Sequence, residues 1–417
     1  MTGKKFSIGH CLFLILFLFA ADLFDLSGIL ISLGIVLFFL FYIKNTKLDS
    51  NALILMIFSV SYFLSVFYHE GGSFDGIIKY AICPWACYVL GYNLMRSESK
   101  VSVTMFSKVM FFGFFVHGFL NLIASVNHYG IDFNNPFRLA YDFWQQRQIS
   151  VTTASLYYTP MVLMSIGILF SSSRKIKKLL SIFVIGIGLF ATILYQNRTL
   201  ILASGVVIAM SLLFLLNNRN VPKRTKNMVI ASFSAIVVIS IVVWITDIGG
   251  IRSLLKGTSF FARLSGSNGE GQDRTKIWAS FIFGDAWKYP FGGNRAVLYH
   301  NKTFVHNIWL DVCRRAGIVP FVCLCSFTLS SIRTVTQFKS YSEYSENTED
   351  YQTLALALIG VACAFFVEPV IEANPYIFYL PILVVGAMNG RIFDSLYNPW
   401  YNRHSVQGRD QVRSSTN

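Results

Sequence analysis

The sequence predicts an all-α membrane protein, a polytopic transmembrane helical bundle of about twelve spans that keeps one large polar loop. Three observations predict it. Hydrophobic residues make up 54% of the 417-residue chain and charged residues only 13%, against roughly 25% charged in a typical soluble domain. The apolar residues gather into runs that reach the roughly 20 residues needed to cross a bilayer. The charges between those runs alternate in sign from one connection to the next. A mean hydropathy of +0.53 agrees, as do the 39 phenylalanines.

The apolar runs lie at 9–24, 27–43, 52–68, 76–95, 103–125, 152–171, 179–195, 199–216, 228–246, 316–333, 352–368 and 376–391. Alternate connections carry Lys4/Lys5, Lys44/Lys47, Arg96/Lys100, the basic clusters around Lys175 and Lys223, Arg333/Lys339, and the tail from Arg391. The short connections of the other set carry Asp22/Asp25, Glu70/Asp75 and Glu368/Glu372. This is the positive-inside pattern, and it places both termini in the cytoplasm. Lys4 and Lys5 before an apolar run also suit a signal peptide, but a second run follows at once, so a retained first span is expected. The organisation expected is nine spans over 1–246, a large outer loop over 247–315, three spans over 316–393 and a polar cytoplasmic tail over 394–417.

The net charge of +14 is absorbed by this inside bias, so no nucleic-acid partner is expected. Most of the seven cysteines lie in apolar runs. Cys83 and Cys87 share a helical face without nearby histidines, which reads as core packing. With no Gly-rich phosphate loop, metal-ligand quartet or internal repeat, neither a metal nor another cofactor is expected.

The loop Asp247–Arg315 carries ten basic and five acidic side chains, a net +5. Long loops cross the membrane regardless of charge, so topology permits this excess without explaining it. A basic surface beside a bilayer attracts an anionic ligand; a solvated loop resting on headgroups is the plainer reading. Ser265–Gln272 is Gly/Ser-rich and reads as a turn. Thr275–Trp287 has the spacing of an amphipathic helix lying on the membrane, and Pro290-Phe-Gly-Gly293 stops it. His306 falls near the start of the next helix, where free N–H groups favour an anion.

His306 is the first candidate for chemistry, because an imidazole titrates near neutrality and takes a proton from a sugar hydroxyl. Arg198, in Tyr195-Gln-Asn-Arg-Thr-Leu-Ile-Leu202, sits in a very short turn between two apolar runs. It either snorkels or grips a diphosphate with paired N–H donors. Arg147 stands at the mouth of an outer segment and either binds the same anion or pairs with Asp142; Arg138 assists. Lys79 lies within an apolar run, where an ammonium snorkels or faces a cavity. Glu368 and Glu372 bracket Pro369 and either orient a histidine, bind a sugar or neutralise an arginine. His117 and His128 read as a bundle-facing and a loop histidine without chemistry.

Four motifs in order, Asn197-Arg198-Thr-Leu-Ile-Leu202, Arg274-Thr-Lys-Ile-Trp278, Pro290-Phe-Gly-Gly-Asn294 and His306-Asn307 with Gly317 beyond, resemble those of the O-antigen polymerase and O-antigen ligase superfamily. The resemblance covers residues 195–320, and it departs from the family at Gly292-Gly293, where Gly-x-Gly is more usual. It implies a GT-C-like glycosyltransferase that moves an oligosaccharide from a polyprenyl (undecaprenyl) diphosphate carrier by metal-independent inverting transfer. His306 would be the base. Arg147, Arg198, Arg274 and Arg314 would hold the diphosphate, with Asn307 and Arg295 in support. The short segment between Pro290 and His306 favours a polymerase over a ligase, which would use a lipid A-core acceptor. A chain-length regulator is a partner the resemblance admits. The reading from another class is a flippase for the same lipid-linked sugar. Charge spread through the span interiors would mark a flippase, and here the charge gathers between spans.

Overall fold

The computed structural model describes residues 8–42, 46–71, 73–97, 102–131, 139–171, 174–217, 222–256, 270–293, 305–344 and 348–397. Arg138, Arg295 and the tail beyond 397 lie outside the described residues, as do 265–269 of the Gly/Ser-rich stretch.

The described chain is helical apart from one two-stranded hairpin. Its helices are α1 (Ile8–Ala20), α2 (Ser27–Tyr42), α3 (Ser50–Glu70), α4 (Cys83–Ser97), α5 (Val103–Tyr129), α6 (Val151–Ser171), α7 (Lys175–Leu194), α8 (Thr199–Asn217) and α9 (Lys223–Thr246). After them come α10 (Ile251–Lys256), α11 (Glu270–Ser280), α12 (Ile308–Ala316), α13 (Ile318–Tyr344), α14 (Thr348–Val367), α15 (Val370–Ala373) and α16 (Pro375–Tyr397). The strands β1 (Leu139–Tyr141) and β2 (Gln148–Ser150) pair antiparallel between α5 and α6, with Leu139 opposite Ser150.

Helix covers each of the twelve apolar runs. Seven of these helices, α3, α5, α6, α7, α8, α13 and α16, are long and apolar enough to cross a membrane, and α1, α2 and α14 are shorter apolar helices. The protein is therefore an all-α helical membrane protein. Its spans leave large apolar side chains exposed, such as Leu64, Phe183 and Leu329. Bare apolar surface of this extent suits lipid and not water. Two prolines, Pro160 and Pro381, sit inside α6 and α16, as helices buried in a bilayer protein tolerate.

The chain folds as two compact units, the described residues of Met1–Phe114, Trp278–Ala355 and Pro369–Asn417 in one, and those of Phe115–Ile277 and Leu356–Glu368 in the other. The boundaries pass through α5, α11 and α14. In the first unit α4 packs on α16 along its whole length. Gly91, Gly386 and Gly390 lie at that seam, each so close to the facing backbone that a Cβ would collide with a carbonyl oxygen. Small residues let membrane helices approach in this way, where packing rather than water exclusion drives association. A polar knot closes the same seam. Tyr88 donates to Asp49 Oδ2 at 2.6 Å and accepts from Asn389 Nδ2 at 2.7 Å. In the second unit α6 is the centre. Gly188 of α7 approaches Val162, and Gly360 of α14 approaches Leu163 and Val207.

Candidate functional site

His306 sits in the first unit, one residue before the N-cap of α12. Its backbone is left-handed, with φ at 58°. Histidine visits that region more readily than most residues, yet it costs of order 1–3 kcal/mol unless the surroundings enforce it. Here they do. Val305 donates its N–H to Asp311 Oδ1 at 2.7 Å, and its carbonyl accepts from Trp278 Nε1 at 2.8 Å. Asn307 donates its N–H to Asp311 Oδ2 at 3.1 Å. The Asn307 side chain then caps α12 by accepting from Leu310 N–H. Both neighbours of His306 are thus buried and tied through their backbones, while His306 itself is half-buried with its Nδ1 turned inward. Trp278, from the Arg-x-x-x-Trp segment, explains itself as the anchor of this turn, with Arg274 one helical turn before it.

The Pro290–Gly293 turn docks behind α12. Gly293 donates its N–H to the carbonyls of Arg314 and Arg315 at 3.1 Å, and Ile318 donates back to Pro290 O at 2.9 Å. Gly292 and Gly317 both have positive φ, 72° and 92°. At each, a Cβ would meet the opposing backbone. The Gly-Gly pair therefore serves close approach between two segments as well as turn formation. From α3, Ser65 Oγ donates to Phe291 O at 2.8 Å. Arg315 forks onto Glu70, with Nε–Oε1 at 2.9 Å and Nη2–Oε2 at 2.6 Å, and its guanidinium lies over the rings of Tyr62 and Tyr80. That bidentate ion pair fixes α12 to α3.

Arg314 is buried, joined to Glu372 by a short ion pair and to Asp311 at 3.6 Å. The sequence expectation that Arg314 binds a diphosphate meets a guanidinium already engaged by two carboxyls. Glu372 takes the neutralising role expected among its alternatives. Two carboxyls share one guanidinium, so the cluster resists full ionisation. The Asp311 carboxyl is pushed up to about 6, first by burial and then by the Glu372 charge, while the Val305 N–H pulls it back. Burial also raises Glu372, against the pull of Arg314. An acid raised on folding contributes stability that is full below its unfolded pKa and lost as pH rises through the folded one. For Asp311 that window runs from 3.8 to about 6. Wild-type protein is expected to lose about 2 kcal/mol between roughly pH 4 and pH 8 through this group. Asp311→Asn should flatten that dependence in a detergent melting series. An unchanged slope would remove Asp311 as its source.

The second unit carries Arg147 and Arg198. Arg147 is exposed at the tip of the β1–β2 hairpin, a strand pair that the sequence reading leaves as a loop. The tip is held by Asp142, whose Oδ1 accepts from Trp144 and Gln145 N–H at 2.9 and 2.8 Å, and whose N–H donates to Arg147 O. Gln146 is left-handed at φ 50°. Asp142 thus serves the turn backbone and His117, and among the described residues no Asp142–Arg147 ion pair is present.

Arg198 follows a turn just as constrained. Gln196 is left-handed at φ 53°. Asn197 caps α8 by accepting from Thr199 N–H at 2.7 Å and bonds to Ser155 through its amide nitrogen. Thr199 bonds in turn to Glu368. Tyr195, Gln196 and Asn197 are 2% exposed, whereas Arg198 between them and Thr199 is half-exposed. The turn thus leaves Arg198 more open than the residues on either side of it.

One face of α5 holds both segments. His117, Asn121 and Ser125 recur every four residues and so lie along one stripe. Asn121 Oδ1 accepts from Phe143 N–H at 2.9 Å and Ser125 Oγ accepts from Tyr141 N–H at 2.8 Å, which pins the Arg147 hairpin. Ser125 Oγ also meets Tyr195 Oη at 2.9 Å, next to the Arg198 turn. Because Asn121 Oδ1 is committed to an N–H donor, its Nδ2 points to His117 Nε2 at 2.9 Å. His117 is fully buried against Tyr157 and 3.7 Å from Asp142 Oδ2. It faces the bundle as expected, and it also supports the loop that presents Arg147.

The structure thus gathers His306, Asn307, Arg314 and Glu372 in one cluster with Asp311, which sequence reasoning missed. It ties the Arg147 and Arg198 segments to one helix stripe and joins Glu368 to the Arg198 turn. Arg274 lies half-buried on α11. The π-helical segment Phe281–Asp285 follows α11, burying Ile277 and Phe281 while Phe283 and Trp287 stay exposed, so the segment expected as a helix over Thr275–Trp287 is helical and begins earlier, at Glu270. Lys79 pairs with Asp75 at 2.6 Å. His128 stacks on Tyr141 of the hairpin, ring centroids 4.1 Å apart. Among the described residues no cluster of metal-ligand type occurs. No protein-family model matches the chain, and no curated protein matches it at a significant level.

Proposed function

We propose that this protein is a polymerase of a cell-surface polysaccharide of the O-antigen type. It takes an oligosaccharide from a polyprenyl diphosphate carrier and adds it to a hydroxyl of a second lipid-linked repeat unit. The acceptor oxygen attacks the anomeric carbon of the donor sugar, and the bond from that carbon to the phosphate oxygen breaks. The acceptor proton passes to the His306 imidazole, and polyprenyl diphosphate leaves. A diphosphate is a good leaving group, so the protein must supply orientation, a base and fixed positive charge. His306 is the base. Arg147 and Arg198 hold the diphosphate, with Arg274 beside them in role, and Arg314 is assigned to the clasp that holds the His306 turn. The GT-C-like bundle has twelve spans, with both termini in the bacterial cytoplasm and the loop 247–315 on the outer face.

The observation that supports this reading most is His306 itself. Its strained backbone is fixed on both sides by buried hydrogen bonds, while the residue itself stays half-buried between two buried neighbours. Strain of that kind gathers where a side chain is aimed at a task. The support for the donor side is the pair of arginine-bearing turns, each with a left-handed glutamine, pinned to one stripe of α5.

Purified protein in liposomes with one lipid-diphosphate oligosaccharide tests the reaction class. A ladder of sizes is the expected result. Transfer only after lipid A-core is added would make the protein a ligase, and unreacted donor under both conditions would overturn transfer in favour of transport.

A further inference from the structure

In the second unit Arg198 stands between two side chains anchored on different helices. Asn197, before it, bonds through its amide nitrogen to Ser155 of α6. Thr199, after it, donates its hydroxyl to the Glu368 carboxyl at the end of α14. The two anchors are joined to each other, because Asn197 Oδ1 accepts from Thr199 N–H at 2.7 Å. Ser155, Asn197, Thr199 and Glu368 are all buried, whereas Arg198 is half-exposed. Arg198 opens α8, its carbonyl accepting from Leu202 N–H at 3.1 Å.

We propose that the hydrogen bond from Thr199 to Glu368 positions Arg198 for the lipid diphosphate, neither residue touching the ligand itself. The inference rests on the transfer reading above for the identity of that ligand. Burying a carboxyl is costly, and one hydrogen bond between membrane helices stabilises too little to offset it. Ionisable groups kept among spans in spite of that cost mark functional sites. Here the bond falls on the residue next to the half-exposed arginine, in the first turn of α8, where a helix N-terminus also favours an acid. A planar guanidinium grips a phosphate group in one orientation, and the backbone over 197–199 sets the direction from which it reaches out. With Asn197 held by α6 and Thr199 held by α14, that backbone is fixed on both sides. A side chain on a fixed base loses less freedom when it binds. Glu368, which the sequence leaves between orienting a histidine, binding a sugar and neutralising an arginine, thus takes a fourth role through Thr199.

A double-mutant cycle on the pair tests this. Thr199→Val replaces the hydroxyl by a methyl of nearly the same size, and Thr199→Ser keeps it. Glu368→Ala removes the acceptor, and Glu368→Gln keeps a carbonyl oxygen that accepts. Binding of undecaprenyl diphosphate is measured in vesicles of phosphatidylethanolamine and phosphatidylglycerol, with melting and transfer followed in parallel. Thr199→Val and Glu368→Ala are each expected to bind about tenfold more weakly, and the double variant no more weakly than either, because both remove the same contact. Thr199→Ser and Glu368→Gln should stay within about twofold of wild type. Wild-type affinity in Thr199→Val or Glu368→Ala overturns the proposal, including the case in which those variants only melt earlier, which a purely structural bond predicts. A Glu368→Gln variant as weak as Glu368→Ala overturns it too, since the charge and not the hydrogen bond would then matter. Additive losses in the double variant do the same. Coupled losses in binding without any transfer by wild type would instead overturn the polymerase reading and leave the positioning pair standing.

Discussion

Replacing His306 by alanine is expected to lower transfer by about 10²–10⁴-fold, the range a positioned general base contributes, while donor binding stays within about twofold of wild type. The two quantities separate because the arginines assigned to the donor belong to other segments, Gln148 to Val151 beyond one and Thr199 beyond the other, while His306 is assigned to the acceptor. The left-handed backbone at His306 makes the choice of substitution matter. Alanine is poorly suited to φ 58°, so part of any loss could come from the turn itself. Asparagine tolerates that conformation better and has no basic nitrogen. His306→Asn should therefore melt like wild type and still lose transfer to the same extent. Transfer near wild-type level in His306→Asn would remove the imidazole from the base role. Loss in the alanine variant alone would reduce His306 to a turn residue.

Arg198→Ala is expected to weaken donor binding by about 10–100-fold, the size of a lost charge-assisted pair at about 1.5–3 kcal/mol. Arg198→Lys should recover only part of it. Lysine keeps the charge but presents a point donor in place of a planar fork. The turn that carries the residue should survive either change. Its backbone is held by Asn197 and Thr199, bonded to Ser155 and Glu368. Binding should be read with a lipid diphosphate and a lipid monophosphate side by side. A bidentate grip predicts a larger loss for the diphosphate. Equal affinities of the alanine and lysine variants would make Arg198 a snorkelling residue at the end of α8.

Much of this architecture is legible from the chain because its physics is local. The apolar runs become helices where they stand, since a run of that length and composition has no other way to satisfy its backbone in lipid. The break before α12 is legible from His306-Asn307 and the break after it from Gly317, because a cap residue and a glycine punctuate helices wherever they fall. What composition and spacing do not carry is the through-space partner. Asp311 reads as one more loop acid until its two oxygens are seen on the backbone of Val305 and Asn307. Arg314 reads as an open cation until Glu372, 58 residues away, is found against it. Left-handed conformations at His306, Gln146 and Gln196 carry no glycine to announce them. The His117–Asn121–Ser125 stripe has helical spacing in plain view. Its meaning depends on the hairpin it pins, which short strands and one aspartate build without a strong turn signal.

The proposed reaction makes a glycosidic bond at the expense of the bond between the donor sugar and the carrier phosphate. The most direct measurement is the release of polyprenyl diphosphate in liposomes that hold purified protein and a single lipid-diphosphate oligosaccharide, counted against the glycosidic bonds formed. One carrier diphosphate released per new bond, with release abolished in His306→Asn, is the predicted result. Oligosaccharide that crosses the bilayer still joined to its carrier, with no diphosphate released, would contradict it.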